Sequence, residues 1–564
     1  MHRAVYVLVA ALALSLLLAS CAPATQAPAP AAPQQPSALS PTPASSQSPP
    51  PAAPPAAAPR VAGTPTPQET VKRGGTLRVI HWAGPDNVSP FGYCPTTCLS
   101  AIGPVFSALV RENPLKAGEF VGDLAEKWET SGDGLTYMFR LRPGVKWHDG
   151  SPLTADNVAF GIRKQMDGLN RGNELRAEIA RVDAPDNTTV IIRTKRPSPL
   201  LLPLVGFGWT LIGQKDLVDK GLDLNKTVVG TGPFKNLTVR ADVGYTVDRN
   251  TDYFLPGRPY LDRIQTTIVP DRATGKAAIL TGQVDLAVPQ YMQPEWAEEL
   301  ATQQEVILHT FANSNSWGLG ASMKNPPFNE MRVFQAAKMA IDMNLLNKVM
   351  RAGRGGAYGA VPPQSGGFTP DELKQFPGYR DPAVDKTEAK KLLTEAGFPN
   401  GVNVELLHRG GGQYRSMAAF IVDQWKQVGI NATLTTTTDA EFLRLLHPAA
   451  PKHVLVSPTI PSTPDAYSIL RLNYHSEGQL NLLNLTDQRL DDMIERVGST
   501  TDPVRRGALI KETQRYIHEK GYVFNIMWDY YLAVSRKWVR NYMPAGPTST
   551  IYNNRKYDHV WLDK

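Results

Sequence analysis

The chain changes character near residue 71, and that change limits what can fold. Residues 22–71 are mostly Ala, Pro, Ser, Thr and Gln, with almost no large apolar side chain. Of the 48 prolines, 15 stand in the first 70 residues, so the proline excess is local. Such a segment cannot bury enough surface to offset the entropy of ordering it. Frequent Pro favours extended chain at roughly 3.1 Å per residue, so about 50 residues reach on the order of 150 Å. The segment reads as a tether, and a low-complexity filler predicts the same lack of order. The remainder is compositionally different. With 42% apolar and 20% charged residues overall, the chain has material for a sizeable core. Its net charge of +7 is too small an excess for this length to point to nucleic acid.

Ahead of the tether, Met1 to Arg3 is a short positive start and Ala4 to Leu18 carries no charge. That run is too short to span a bilayer comfortably and suits the apolar region of an export signal. Leu18-Ala19-Ser20-Cys21 then places small residues before a cysteine. The pattern is that of a bacterial lipoprotein signal: residues 1–20 removed, Cys21 lipidated, and 21–71 the lipidated Cys with its tether. An ordinary secretory signal or an uncleaved anchor is the plainer alternative. Acyl chains in pairs hold a protein stably on a membrane.

In the body, Gly74-Gly75 precedes a strand at 76–80, and Tyr137 to Arg142 alternates as a half-buried strand. Val145 to His148 reads as a second strand and Thr154 as the N-cap of a helix, so 135–165 is expected to be a hairpin entering a helix. Val333, Ala337, Ile341, Leu345 and Val349 form one apolar helix stripe. Thr387 is expected to cap a short helix that Gly397 ends. A strand at 402–407, a Gly-rich loop, a helix through Met417–Val428 and a strand at 430–435 read as a parallel βαβ unit.

The sequence carries none of the familiar catalytic motifs. There is no His-Glu-x-x-His and no Gly-x-Ser-x-Gly. Gly275-Lys276 lacks the rest of a phosphate loop, and Gly318-x-Gly320 lacks its third glycine. His447 and His453 share a Pro-containing loop, where a metal role is the lesser reading. No catalytic residue, metal or cofactor is assigned, and no enzyme is expected. Once Cys21 is lipidated, Cys94 and Cys98 are the remaining thiols. Outside the cytoplasm two nearby cysteines usually oxidise, so they are expected to form a small local disulfide, with a redox or metal site as the alternative.

Several segments in order resemble one family. Asp123-Leu124-Ala125-Glu126-Lys127-Trp128-Glu129 precedes Asp133 to Val158, which contains Pro143-Gly144-Val145-Lys146-Trp147-His148-Asp149-Gly150. Gly230-Thr231-Gly232-Pro233-Phe234, Asn250 to Tyr253, Gly282-Gln283-Val284-Asp285 and Ala340-Ile341-Asp342 follow. Across 72–564 the chain resembles the extracellular solute-binding proteins of bacterial ABC importers, in the group of dipeptide, oligopeptide and nickel receptors. The resemblance implies a mixed α/β (α+β) fold, periplasmic-binding-protein-like and two-lobed, with a hinged cleft between the lobes. Lobe I is expected over 72–270 with an extra subdomain near 92–210, lobe II over 271–526, and a return to lobe I over 527–564. It implies a monomer, anchored outside the cytoplasm by its lipid, that captures a small solute and passes it to membrane permease subunits.

The resemblance also directs attention to ligand contacts. Peptide-binding relatives use an acid a few residues before a Pro to take the peptide's amino group. Aligning on Pro464 in the stretch Ser457 to Asp465 puts Ile460 there, which cannot neutralise an ammonium and counts against an ordinary free-amine peptide. Asp465 substitutes only if the loop shifts. Ser457 and Thr459 are expected to face the ligand. Dipeptide-binding relatives hold the ligand carboxylate with an Arg that corresponds to Arg409, followed by Tyr414. Trp82, Asn315, Trp317, Trp528 and Tyr530 fall where the strands reach the cleft and are expected to offer stacking surfaces for a peptide-like solute, or alternatively a sugar. A sensory lipoprotein without transport is a further alternative. For the tether, hydrogen exchange is expected to show no amide protection over residues 22–71; slow exchange there refutes it.

Overall fold

A computed structural model describes residues 70–564 except 93, 117–118, 169–171, 207, 322, 411, 439–440, 442–453, 460–462, 464 and 544–555. The signal sequence, Cys21, almost all of the tether, His447, His453, Ile460 and Pro464 lie outside the described residues.

A ten-stranded mixed sheet forms the frame. Its order is Ile430–Thr437, Val402–Arg409, Val454–Thr459, Val306–Gly320, Asn525–Arg536, Leu286–Ala287, Thr76–His81, Arg263–Ile268, Gly244–Arg249 and Phe234–Arg240. The βαβ unit forms as expected: Val402–Arg409 runs parallel to Ile430–Thr437 in the register Val402 to Ile430, joined by the helix Gly412–Lys426. A separate four-stranded antiparallel sheet, Ala125–Thr130, Thr136–Leu141, Thr189–Thr194 and Ile179–Asp183, forms the subdomain. The fold is thus mixed α/β and two-lobed.

Three local expectations are corrected. The strand Thr136–Leu141 pairs with Ala125–Thr130 and Thr189–Thr194, while 145–148 contributes only an isolated bridge, Lys146 to Pro152. Thr154 does cap the helix Ala155–Met166, in a reciprocal box with Asn157. The stripe from Val333 to Val349 is two helices, Met331–Met339 and Met343–Arg351, because Asp342 turns the chain and accepts the Leu345 N–H at 2.9 Å to cap the second. Leu345 and Val349 are therefore exposed. Thr387 lies inside the helix Pro382–Glu395, which Asp381 caps. Gly397 follows that helix with φ of +90°, as a chain-reversing glycine should.

The lobe boundary differs from the expected one at 270. Ala278, Ile279, Leu286, Tyr291, Trp296 and Val306 share one core with Leu77, Val79 and Ile264, joined by Tyr530, Leu532 and Val534. Trp317, Leu406, Ile421 and Trp528 belong to a second core. The chain changes lobe along Val306–Gly320 and returns along Asn525–Arg536. Away from these strands, the subdomain meets the second lobe where Arg196 pairs with Glu178 (2.6 Å) and Glu495 (3.5 Å) and bonds the Tyr467 hydroxyl. Cys94 and Cys98 are joined by a disulfide, packed in the first core.

The motifs that carry the resemblance prove to be folding knots. His148 accepts the Gly230 N–H at 3.3 Å through Nδ1 and lies 3.0 Å from the Gly232 carbonyl through Nε2. Asn250 donates to the same carbonyl at 3.0 Å. A side chain at Gly230 or Gly232 would run into the Val105 and Pro104 carbonyls. Asp285 is fully buried, and burial alone would raise its pKa. Hydrogen bonds from Arg78, Lys564 and Trp538 outweigh burial and hold its pKa down, at about 2. One carboxylate so ties the first strand to the end of the chain.

Lys338, in the second lobe, is the opposite case. Burial pulls its ammonium down to about 7, against a smaller attraction from Asp385. Its Nζ donates to the Tyr379 hydroxyl at 3.1 Å, and that hydroxyl donates in turn to the Tyr358 carbonyl at 3.1 Å. Below about pH 7 the amine is charged in folded and unfolded chains alike, and the burial penalty is fully present. Between about 7 and the model-compound value of 10.5 the folded chain sheds a proton that the unfolded chain keeps, so stability rises with pH. Lys338→Met is expected to exceed the parent in urea unfolding by roughly 3 kcal/mol near pH 6. The gap should narrow progressively towards pH 9. A gap that does not change between pH 6 and pH 9 shows that folding leaves the amine's pKa unshifted.

Candidate functional site

The strands Val306–Gly320 and Asn525–Arg536 lose register where the lobes divide. Ala312 faces Tyr530 but Ser316 faces Trp528; Trp317 then faces Met527 but Gly318 faces Asn525. Extra residues on first one strand and then the other bend the pair and re-aim its side chains. A cavity of about 580 Å³ opens at this level. Its lining draws Asn315, Trp317 and Tyr530 from the two strands and Tyr414 from the helix that follows the Gly-rich loop. The structure places these four candidate residues around one cavity.

Their contacts are specific. Trp317 and Tyr414 stand with ring centroids 5.1 Å apart at 59°. Asn315 Nδ2 donates to the Tyr531 hydroxyl at 2.9 Å, across the strand pair. Burial pushes the Tyr530 phenol up, with Arg354 and Arg351 acting against it. Tyr530 therefore presents a neutral face.

Other expected residues are placed elsewhere. Trp528 is fully buried in the second core, with Nε1 donating to the Gly359 carbonyl at 3.0 Å. The residues that follow it, Asp529 and Tyr530, line the cavity instead. Trp82 does not line the cavity; it stacks on His81 at 4.1 Å and backs Arg272 at 5.9 Å. Arg409 does not line the cavity; it stands behind Tyr414, donating to its hydroxyl at 3.3 Å and lying 5.2 Å from the ring centroid. The backbone pairs Ser457 with Gly318 and Thr459 with Ser316, which sets that stretch beside the cavity strand. Asp465 is the N-cap of the helix Ala466–Tyr474 and pairs with Arg506 at 2.8 Å, so it is engaged away from the cavity.

Sequence reasoning missed the charged part of the site: Arg272, Arg351 and Asp529. Arg351 ends the helix Met343–Arg351, and its Nε lies 2.6 Å from Asp529 Oδ1. Trp317 Nε1 donates to the other carboxylate oxygen at 3.2 Å. The guanidinium lies 5.8 Å from the Trp317 ring centroid. The signal available for Asp529 was its place between Trp528 and Tyr530, in a segment already expected at the cleft. Arg351 gave no such signal, because its partner is 178 residues away. Among the described residues no group of three or more His, Cys, Asp or Glu is placed to hold a metal ion.

The Arg351–Asp529 pair is largely shielded, with side-chain exposures of 10% and 18%. Removing one member leaves the other charge poorly compensated. Asp529→Asn is expected to cost about 3 kcal/mol in urea unfolding, whereas Arg351→Met with Asp529→Asn together recovers more than half of that loss. Additive losses in this double-mutant cycle show that the two side chains do not act as a pair.

Comparison with known proteins adds the following. Residues 119–481 match the family described as "Bacterial extracellular solute-binding proteins, family 5 Middle". The dipeptide-binding protein of Escherichia coli strain K12 is 27% identical over 499 residues, covering 81% of this chain and 90% of that protein. Heme-binding protein A of Haemophilus influenzae is 26% identical over 438 residues, covering 70% and 77%. The solved structure of HbpA2 from Haemophilus parasuis superposes with a TM-score of 0.75 at 23% identity, over 87% of this chain and all of that one.

Proposed function

The chain belongs to the bacterial extracellular solute-binding proteins of family 5, and from that premise we propose that it is the receptor of an ABC importer. It captures a peptide-like organic solute between its lobes and delivers it to the membrane permease. The observation that carries this reading is the cavity at the register break. It is walled from both cores, by Met292 and Tyr530 on one side and by Trp317 and Tyr414 on the other. A solute that touches both walls binds the closed arrangement better than the open one, and closure follows from that difference in affinity. Asn315, Trp317, Tyr414 and Tyr530 are the proposed contacts, together with Gln293, Gln413 and Tyr531.

The family alone does not set the solute. One relative is named for dipeptides and another for heme. In this reading the mature chain is a monomer that begins at a lipidated Cys21, and the Pro-rich segment holds the body off an extracytoplasmic membrane surface. No catalytic step is assigned. Aromatic walls and a few polar groups are what a binding cleft requires.

Native mass spectrometry of the purified protein identifies what it carries, and uptake of that solute tests the role. Deletion in the host is expected to abolish uptake. The parent chain should restore it and Trp317→Ala should not, with an affinity loss of roughly 10-fold or more. Uptake that persists without the protein refutes the importer role and leaves a sensory one.

A further inference from the structure

The charges around the cavity do not balance, and the imbalance has a direction. Two lining residues are cationic, Arg272 and Arg351, and one is anionic, Asp529. Arg351 and Asp529 neutralise each other at 2.6 Å, and Trp317 uses the second carboxylate oxygen. No ion pair is made by Arg272 among the described residues. Burial pulls its guanidinium pKa down, and the Tyr291 phenol acts against this. Arg354, beside Tyr530, adds further positive charge.

Arg272 is also held ready. It is the first residue of the helix Arg272–Leu280. Its Nη1 donates to the Tyr291 carbonyl at 2.8 Å, and the guanidinium carbon lies 4.6 Å from the Tyr291 ring centroid and 5.9 Å from that of Trp82. The Tyr291 hydroxyl is anchored on the Val269 carbonyl at 2.9 Å. This packing requires the glycine at 275, since a side chain there would strike that hydroxyl. A guanidinium fixed between two aromatic rings, with one N–H engaged and the others available, is preorganised to receive a planar anion.

We propose that the solute is an organic acid whose carboxylate is received by Arg272 on the first lobe while its body lies against Trp317 and Tyr414 on the second. The inference rests on the receptor reading above and narrows it. One guanidinium without a counter-charge balances one negative charge, which favours a carboxylate. Asp529 is committed within the fold, so the acid needs no free ammonium, and a blocked or absent amine is tolerated. Because Arg272 packs on Tyr291 of the first core while Trp317 belongs to the second, the acid also joins the lobes. An uncharged analogue leaves the guanidinium partly desolvated and unpaired in the closed cleft, which costs affinity.

The test uses the full-length protein and matched pairs of probes. N-acetyl-phenylalanine, glycyl-phenylalanine and N-acetyl-glycyl-phenylalanine are each compared with the corresponding C-terminal amide by thermal shift and tryptophan fluorescence titration. The acids are expected to bind, N-acetylation to change affinity little, and amidation to weaken it roughly 10- to 100-fold. Arg272→Met should weaken the acids by the same factor without lowering the ligand-free melting temperature, and Arg272→Lys should restore part of the loss. Amides that bind as well as acids, acids that bind Arg272→Met as well as the parent, or silence of all three acids each overturn the assignment. Binding of the amides alone leaves the receptor reading standing, and the uptake experiment decides that reading independently of these probes.

Discussion

The antiparallel pairing of Val306–Gly320 with Asn525–Arg536 is the contact on which the rest depends. These strands stand at the centre of the ten-stranded sheet and belong to both lobes. Before the register break their side chains enter the first core, as Val306 and Leu532 do; beyond it they enter the second, as Trp317 and Trp528 do. A ladder that breaks register between two cores combines a continuous connection with a bend. The cavity opens at the level of that bend.

Around that pair, buried polar groups fix the lobes. Asp285 joins the first strand to the chain's last residue through Arg78 and Lys564. Asp558, deep in the first lobe, pairs with Arg111 at 2.9 Å and Arg258 at 3.3 Å, while Lys556 pairs with Asp123 at 2.7 Å. Burial and the Arg111 guanidinium act in opposite directions on Asp558, and the net effect holds it well below the usual carboxylate range. The final residues thus close the first lobe although they are more than 400 positions from Asp123 and Arg111. These bonds explain why the segments around 123, 148, 230, 250 and 285 read as a signature: each contributes a buried polar group or a close backbone approach, and few other residues satisfy either.

Legibility followed the range of the interaction. The βαβ unit, the Thr154 cap and the turn at Gly397 rest on near neighbours and were read correctly. The stripe through Val349 misled because periodicity of four continues through Ala340-Ile341-Asp342, where a capping aspartate starts a new helix. The strand at 136–141 was found, but its partners at 125–130 and 189–194 were not, because a turn signal at Pro143-Gly144 implied the nearer pairing. At the site, aromatic residues at strand ends were legible for Trp317 and Tyr530. Trp528 was not, since nothing local says which face of a strand meets the core.

What the sequence by itself determined is the division of the chain: an apolar start ending at Cys21, a Pro-rich segment that cannot build a core, and a body whose spaced motifs name its family and its two-lobed fold. These depend on composition and on local backbone chemistry. The tertiary structure alone decided the lobe boundary within a single strand and the charge of the cleft. Arg272, Arg351 and Asp529 come from three distant segments, and whether an arginine is neutralised or left facing a cavity depends on which carboxylate lies within a few ångströms. That is a property of the folded chain.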